Sequence, residues 1–249
     1  MSATFSVSRA IVTGAGRGIG AAVARRLAQE GLAVALLDID RAGAEETAAA
    51  IAGETGVTTL GIECDVADRQ RVVAAITEAA DALGGLDTLV ANAGITRDAF
   101  LHKMTDEQWD DVIAVHLTGT FACLRAAAPY LRGDGPGRIV CISSVSGATG
   151  NLGQANYSAA KGGIVSMVKT VAREMARSET TVNAVRPGFI DTAMTRAMPD
   201  EARQPLLAAT PLGRAGRPEE VAGAVAFLVS DDAAFITGAT IDVNGGFYV

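Results

Sequence analysis

The 249-residue chain has few aromatic side chains: they make up 4% of it, with a single tryptophan. Its core must therefore be built mainly from Ala, Val, Leu and Ile. Cysteine is scarce too. Cys64, Cys123 and Cys141 are scattered, odd in number and form no CxxC pair, which argues against a disulfide framework or a metal site. Buried free thiols in a reducing cytoplasm are expected. Basic residues are outnumbered, 21 Lys and Arg against 28 Asp and Glu, for a net charge of −7. That balance disfavours nucleic acid and anionic membrane as partners and offers no general attraction to an acidic carrier protein. No uncharged apolar run reaches the roughly 18 residues of a membrane span. Met1–Ser8 lacks the cationic and apolar regions of a signal peptide. No linker, charge block or repeat divides residues 1–249, so a single domain is expected.

Hydrophobic residues are plentiful, at 49%, and so is glycine, at 28 residues. Strand-like runs (Arg9–Thr13, Ala33–Asp38, Val57–Cys64, Thr88–Ala91, Arg138–Ile142, Thr181–Val185, Thr240–Val243) alternate with helix-like ones (Ala21–Glu30, Ala42–Ala52, Arg69–Leu83, Asp106–Tyr130, Tyr157–Arg177, Pro218–Ser230). This alternation predicts an α/β fold, a Rossmann-like, doubly wound parallel sheet with helices on both faces.

The first strand runs into Thr13-Gly-Ala-Gly-Arg-Gly-Ile-Gly20 and then into a run of strong helix formers. Glycines between a strand and a helix let backbone N–H groups meet a pyrophosphate at the helix's positive end, so Gly14, Arg17, Gly18, Ile19 and Gly20 are candidate cofactor contacts. Asp38, eighteen residues past Gly20, ends the second strand. A carboxylate there accepts ribose hydroxyls and repels a 2′-phosphate, which favours NAD over NADP. Arg17 is a counter-signal that leaves NADP open. Asp65 and Val66 follow the third strand, where a side chain could meet an adenine. Asn92, Ala93 and Gly94 follow the fourth and leave small residues where a ribose would pass. The bland alternatives are an Asx turn and a simple loop. Gly14, Asp38, Asn92 and Ser144 all lie at strand carboxyl ends and so converge on one crevice.

Tyr157 and Lys161 are four residues apart, and Ser144 precedes Tyr157 by thirteen. Positions i and i+4 share a helix face. An ammonium there could lower a phenol's pKa from about 10 by roughly 1–3 units, making a proton donor and acceptor usable near neutral pH. Ser144 could hydrogen-bond the same substrate oxygen. After the sixth strand come Pro187, Gly188, Ile190 and Thr192; the turn and the Thr192 hydroxyl suit a carboxamide. The aperiodic stretch that follows makes residues 189–212 a candidate substrate lid.

Thr13–Gly20, Asn92–Gly94, Ser144, Tyr157-Ser-Ala-Ala-Lys161 and Pro187-Gly188 together resemble the short-chain dehydrogenase/reductase family over nearly the whole chain. The resemblance implies an enzyme binding NAD(H) or NADP(H), with Tyr157 as acid/base, Lys161 holding the nicotinamide ribose and Ser144 orienting substrate. It also implies a homotetramer, with the apolar C-terminus Gly245–Val249 and the Ala-rich helices available for contacts. The family's fourth catalytic residue, an asparagine, is His116 here. An imidazole can still hold a water, and the same Val-His-Leu pattern, with the run Gly150-Asn-Leu-Gly-Gln-Ala-Asn-Tyr157, resembles the (3R)-hydroxyacyl-CoA dehydrogenase part of peroxisomal multifunctional enzymes. Glu107–Ile113 and Gly238–Gly246 are most similar to the 3-oxoacyl-[acyl-carrier-protein] reductases. The basic positions that dock the carrier there are Gly135 and Ser178 here, with Arg132, Arg138 and Arg177 close enough to compensate. The expected reaction is hydride transfer to a 3-oxoacyl thioester, on a carrier protein or CoA. A dehydrogenase of sugar-derived, cyclic or steroid-like alcohols, or a non-catalytic dinucleotide-binding regulator, remain the alternatives.

Overall fold

Seven strands hydrogen-bond in parallel in the order β3-β2-β1-β4-β5-β6-β7. They are β1 Arg9–Thr13, β2 Ala33–Asp38, β3 Thr59–Glu63, β4 Thr88–Ala91, β5 Arg138–Ile142, β6 Thr181–Pro187 and β7 Thr240–Val243. The computed structural model describes residues 4–133 and 135–249. The helices are α1 Gly18–Gln29, α2 Arg41–Thr55, α3 Arg69–Leu83, α4 Asp106–Val112, α5 Gly119–Leu131, α6 Ser146–Thr149, α7 Ala155–Met175, α8 Ala193–Arg196, α9 Asp200–Ala208 and α10 Pro218–Val229. The expected doubly wound sheet is present.

Strand residues alternate between two apolar layers, as the pleat requires. Ile11, Leu89, Ile139 and Val182 face α3, α5 and α7, whereas Ala10, Val12, Val90 and Val140 face α1, α2 and α10. Each fully buried Leu or Ile is worth about 1.5–3 kcal/mol, so two such layers can hold the sheet without many aromatics. Local chemistry sets the ends of the helices. Asp40 and Asp68 cap α2 and α3, accepting from Gly43 N and from Gln70 N and Arg71 N, and both helices stop at left-handed glycines, Gly56 and Gly84. Pro218 opens α10.

The long helix expected over Asp106–Tyr130 is interrupted. Ile113–Thr118 is a π segment between α4 and α5, and it carries the buried His116. Such a segment adds a residue to one turn, which amphipathic periodicity does not register, and it commonly marks a functional site. Asp106–Leu131 is long and apolar enough to cross a membrane by composition. It packs here as a core helix, with Val112, Ala122, Cys123, Ala127 and Leu131 buried and with α3 and α7 as neighbours.

Candidate active site

The chain leaves β1 toward one sheet edge through β2 and β3, and returns at β4 to fill the other. Between β1 and β4 the direction of winding reverses, opening a crevice beyond their carboxyl ends. The glycine turn lines it. Gly14 has φ +62°, a left-handed conformation. A Cβ on Gly20 would run into the Gly14 carbonyl oxygen and come within 2.6 Å of Asn92 Nδ2. The turn is thus a cradle from which side chains are excluded. Unlike α2 and α3, α1 has no side-chain cap, so its first-turn N–H groups face the crevice unclaimed by a cap.

Each neighbour of the turn has a defined job. Thr13 Oγ1 accepts from the N–H groups of Asn92 and Ala93 at 3.0 and 3.1 Å. Asn92 Nδ2 donates to the carbonyls of Thr13 and Gly14 at 2.9 and 3.0 Å, so its side chain braces the turn. Asp38 Oδ2 accepts from Gly16 N at 2.9 Å, and Thr47, on α2, donates to Gly16 O at 2.8 Å. Arg17 is exposed at the start of α1. Thr192 reaches the same place: its methyl lies 3.8 Å from where a Gly18 Cβ would stand. A backbone-lined, uncapped helix terminus with a carboxylate at the β2 end fits a dinucleotide.

Other expected contacts sit less openly. Asp65 Oδ1 accepts from Ala67 N, making an Asx turn. Val66 is buried against the start of α5. Pro187 O accepts from Val145 N, tying the β6 end to the loop after β5, and Gly188 N donates to Val243 O, tying it to β7. The Ile190 side chain is buried in the core layer with residues of α10.

Ser144, Tyr157, Lys161 and His116 come together above this crevice. Ser144 follows β5, and its Oγ accepts from Ser146 N at 3.2 Å. Lys161 is 3% exposed; Nζ donates to Ile142 O at 2.7 Å, while Ser143 Oγ donates to Lys161 O at 2.9 Å. The Tyr157 ring meets the His116 ring edge-on, centroids 5.0 Å apart, and Lys161 Nζ lies 5.7 Å from the Tyr157 centroid. Asn156, which the sequence reading missed, is fully buried at the head of α7 and donates to the carbonyls of Arg97 and Gln108. Only long-range contact reveals that role; an asparagine beside a tyrosine carries no local signal of it.

The electrostatics depart from the sequence expectation. Burial pushes the Tyr157 phenol above its ordinary value, Ser144 pulls it back by hydrogen bonding, and the Asp98 charge adds to the rise. Lys161 Nζ donates to Ile142 O, 5.7 Å from the Tyr157 ring centroid, and burial lowers the lysine itself to about 8. His116 is pushed to about 3, by burial first and then by the Lys161 charge. Its Nε2 lies 2.7 Å from Ile95 O and 3.0 Å from Ile95 N, while Nδ1 has no partner among the described residues. Gly94 is pressed against this ring, where a Cβ would overlap Cε1.

A neutral buried histidine has a stability signature. Between its folded value of about 3 and the unfolded value near 6.5, the unfolded chain binds more protons. Stability therefore falls as pH drops below about 6.5, by at most ~1.4 kcal/mol per pH unit from this group. Urea denaturation at pH 7.5 and 4.5 should show a smaller loss for His116→Asn than for the parent. Equal acid sensitivity would mean that His116 is not held neutral.

Crevice, cradle and hydroxyl-bearing cluster define a nicotinamide-dinucleotide-dependent oxidoreductase, and the chain belongs to the short-chain dehydrogenase/reductase family. A family model described as enoyl-(acyl carrier protein) reductase matches residues 14–248. Among its relatives, the 3-oxoacyl-[acyl-carrier-protein] reductase FabG of Staphylococcus aureus is 48% identical over 243 residues, covering 96% of this chain and 98% of that protein. The protein of the same name from Escherichia coli is 46% identical over 245 residues, covering 98% and 99%. That from Staphylococcus epidermidis is 44% identical over 243 residues.

Proposed function

We propose that this chain reduces the keto group of a 3-oxoacyl thioester, with Ser144, Tyr157 and Lys161 as catalytic residues and NADH as the preferred reductant. The observation that carries the reading is the meeting of Tyr157 and Ser144 beside the side-chain-free cradle at the head of α1. A hydroxyl pair suits a ketone oxygen better than a carbon–carbon double bond, which agrees with the names of the relatives above.

When bound, the dinucleotide supplies a hydride to the carbonyl carbon. Burial keeps Tyr157 protonated at neutral pH, ready to give its proton to the developing alkoxide. Ser144 Oγ accepts from Ser146 N, and its one hydrogen, directed at Tyr157 in the free site, would turn to the same substrate oxygen. Lys161, titrating near 8, is largely charged at pH 7. It would hold the nicotinamide ribose and steady the phenolate left by proton transfer. His116 would use its unpartnered Nδ1 to hold a water that returns the proton. Gly14, Gly18, Ile19 and Gly20 would cradle the pyrophosphate. Asp38 would take the ribose hydroxyls, and Asp65, Val66, Asn92, Ala93 and Gly94 would border adenine and ribose. Pro187, Gly188 and Thr192 would face the carboxamide, and residues 189–212 would act as the lid.

The carrier is the less supported half of the substrate. Arg132 and Arg177 are exposed near the ends of α5 and α7 and remain available to an acidic carrier. Arg138 is not: it is 2% exposed and faces Asp231 at 3.7 Å, because β5 draws its first residue into the core. A CoA thioester is therefore retained beside the carrier-bound one. Exposed Trp109 and Phe121 on α4 and α5, with Phe235 and Val249, support a homotetramer. Three buried free thiols suit the cytoplasm.

The test is steady-state reduction of 3-oxoacyl-CoA, 3-oxoacyl carrier protein and a panel of cyclic and sugar-derived ketones, each with NADH and NADPH. The highest kcat/KM is expected for a 3-oxoacyl thioester; a better cyclic or sugar-derived substrate would replace that reading. No turnover despite dinucleotide binding would favour the regulator. For the cofactor, Asp38→Asn keeps an acceptor for Gly16 N but removes the charge. It should shift the NADPH/NADH preference toward NADPH by roughly ten- to a hundredfold. An unchanged ratio would remove Asp38 from the ribose.

A further inference from the structure

The loops after β4 and β5 both border Tyr157, and side chains outside the proposed catalytic set join them. Gln154 Nε2 donates to Asp98 Oδ2 at 2.9 Å. Gln154 Oε1 accepts from Asn151 Nδ2 at 3.1 Å and from Ser146 Oγ at 3.2 Å. Ser146 N in turn donates to Ser144 Oγ. The direction of this chain is forced, because a carboxylate only accepts: the amide NH₂ must face Asp98, its oxygen must face Ser146, and Ser146 must donate. A backbone bond from Ala99 N to Gly153 O, 2.9 Å, runs alongside.

We infer that Asp98 and Gln154 are positioning residues, a latch that joins the two loops and, through Ser146, aims the Ser144 hydroxyl at the reacting oxygen. The inference rests on the assignment of Ser144 and Tyr157 above. Asp98 also faces the phenol electrostatically, together with Lys161 from α7 and neutral His116 from the π segment. Opening the latch leaves the dinucleotide cradle intact, because none of its members touches the glycine turn. The loss should therefore fall on kcat.

The experiment compares the full chain with Gln154→Ala, Asp98→Ala, Asp98→Asn and the double alanine variant. Asp98 is exposed, so its variants keep the fold. The readouts are melting temperature, NADH affinity by fluorescence, kcat and KM with any ketone that the parent reduces, and amide exchange over residues 95–103 and 144–155. Either alanine variant should quicken exchange in both segments and lower kcat roughly ten- to a hundredfold, with NADH affinity within about twofold of the parent. The double variant should be no worse than the poorer single, since both cut one chain. Asp98→Asn, which still accepts from Gln154, should recover most of kcat. Loosening of one segment only, losses that multiply, or an Asp98→Asn variant as poor as Asp98→Ala would overturn the latch. If the parent reduced no ketone, the proposed reaction would fail by itself, and the exchange pattern would still decide the latch.

Discussion

Tyr157→Phe should lose roughly a hundred- to ten-thousandfold in kcat for ketone reduction while binding the dinucleotide as tightly as the parent. The substitution removes one oxygen and little else. The ring stays edge-on to His116, and α7 remains pinned by Asn156 and by the Ser143–Lys161 bond. What disappears is the proton donor that burial keeps protonated at neutral pH. Ser144 still hydrogen-bonds the substrate oxygen, which is why activity falls steeply without vanishing. Single-turnover rates and a binding titration on the same preparation separate the two effects. Turnover equal to the parent's would end the acid/base assignment.

Gly20→Ala should abolish measurable dinucleotide binding under conditions that saturate the parent, and should destabilise the chain. Helix propensity argues the other way, since alanine in a helix interior is favoured over glycine by about 1 kcal/mol. Position 20 is decided by space. The new methyl would collide with the Gly14 carbonyl oxygen and approach Asn92 Nδ2 at 2.6 Å, and both belong to backbone-anchored groups that cannot swing away. The head of α1 must move off the turn, breaking the Asn92 brace and the array of N–H groups facing the crevice. Overpacking of this kind costs about 1–3 kcal/mol. Urea unfolding and NADH fluorescence titration check the two halves. Parent-like affinity would remove the glycine turn from the cofactor site.

Both predictions start from motifs that are plain in the chain, but their sign comes from the fold. The glycine turn, Asp38, and the Ser144, Tyr157 and Lys161 spacing were legible because turn chemistry and helix periodicity are short-range properties. All seven expected strands formed, with β3 shorter and β6 longer than expected. The π segment was not legible, since one extra residue in a turn leaves an amphipathic pattern almost unchanged. Nor was the fate of single polar groups. Asn92 turned inward to brace the glycine turn, Arg138 was drawn into the core beside Asp231, and Lys161 gives one of its donors to Ile142 O.

The sequence by itself determined the alternation of strands and helices and which residue types stand at the strand ends. Those outcomes depend on neighbours a few positions away. Tertiary structure alone decided which way a phenol, an amine and an imidazole titrate, and which donor meets which acceptor across loops as distant as those of Asp98 and Gln154. Burial and partnership arise only when remote segments exclude water together, and no local pattern encodes the energy of a charge in that interior.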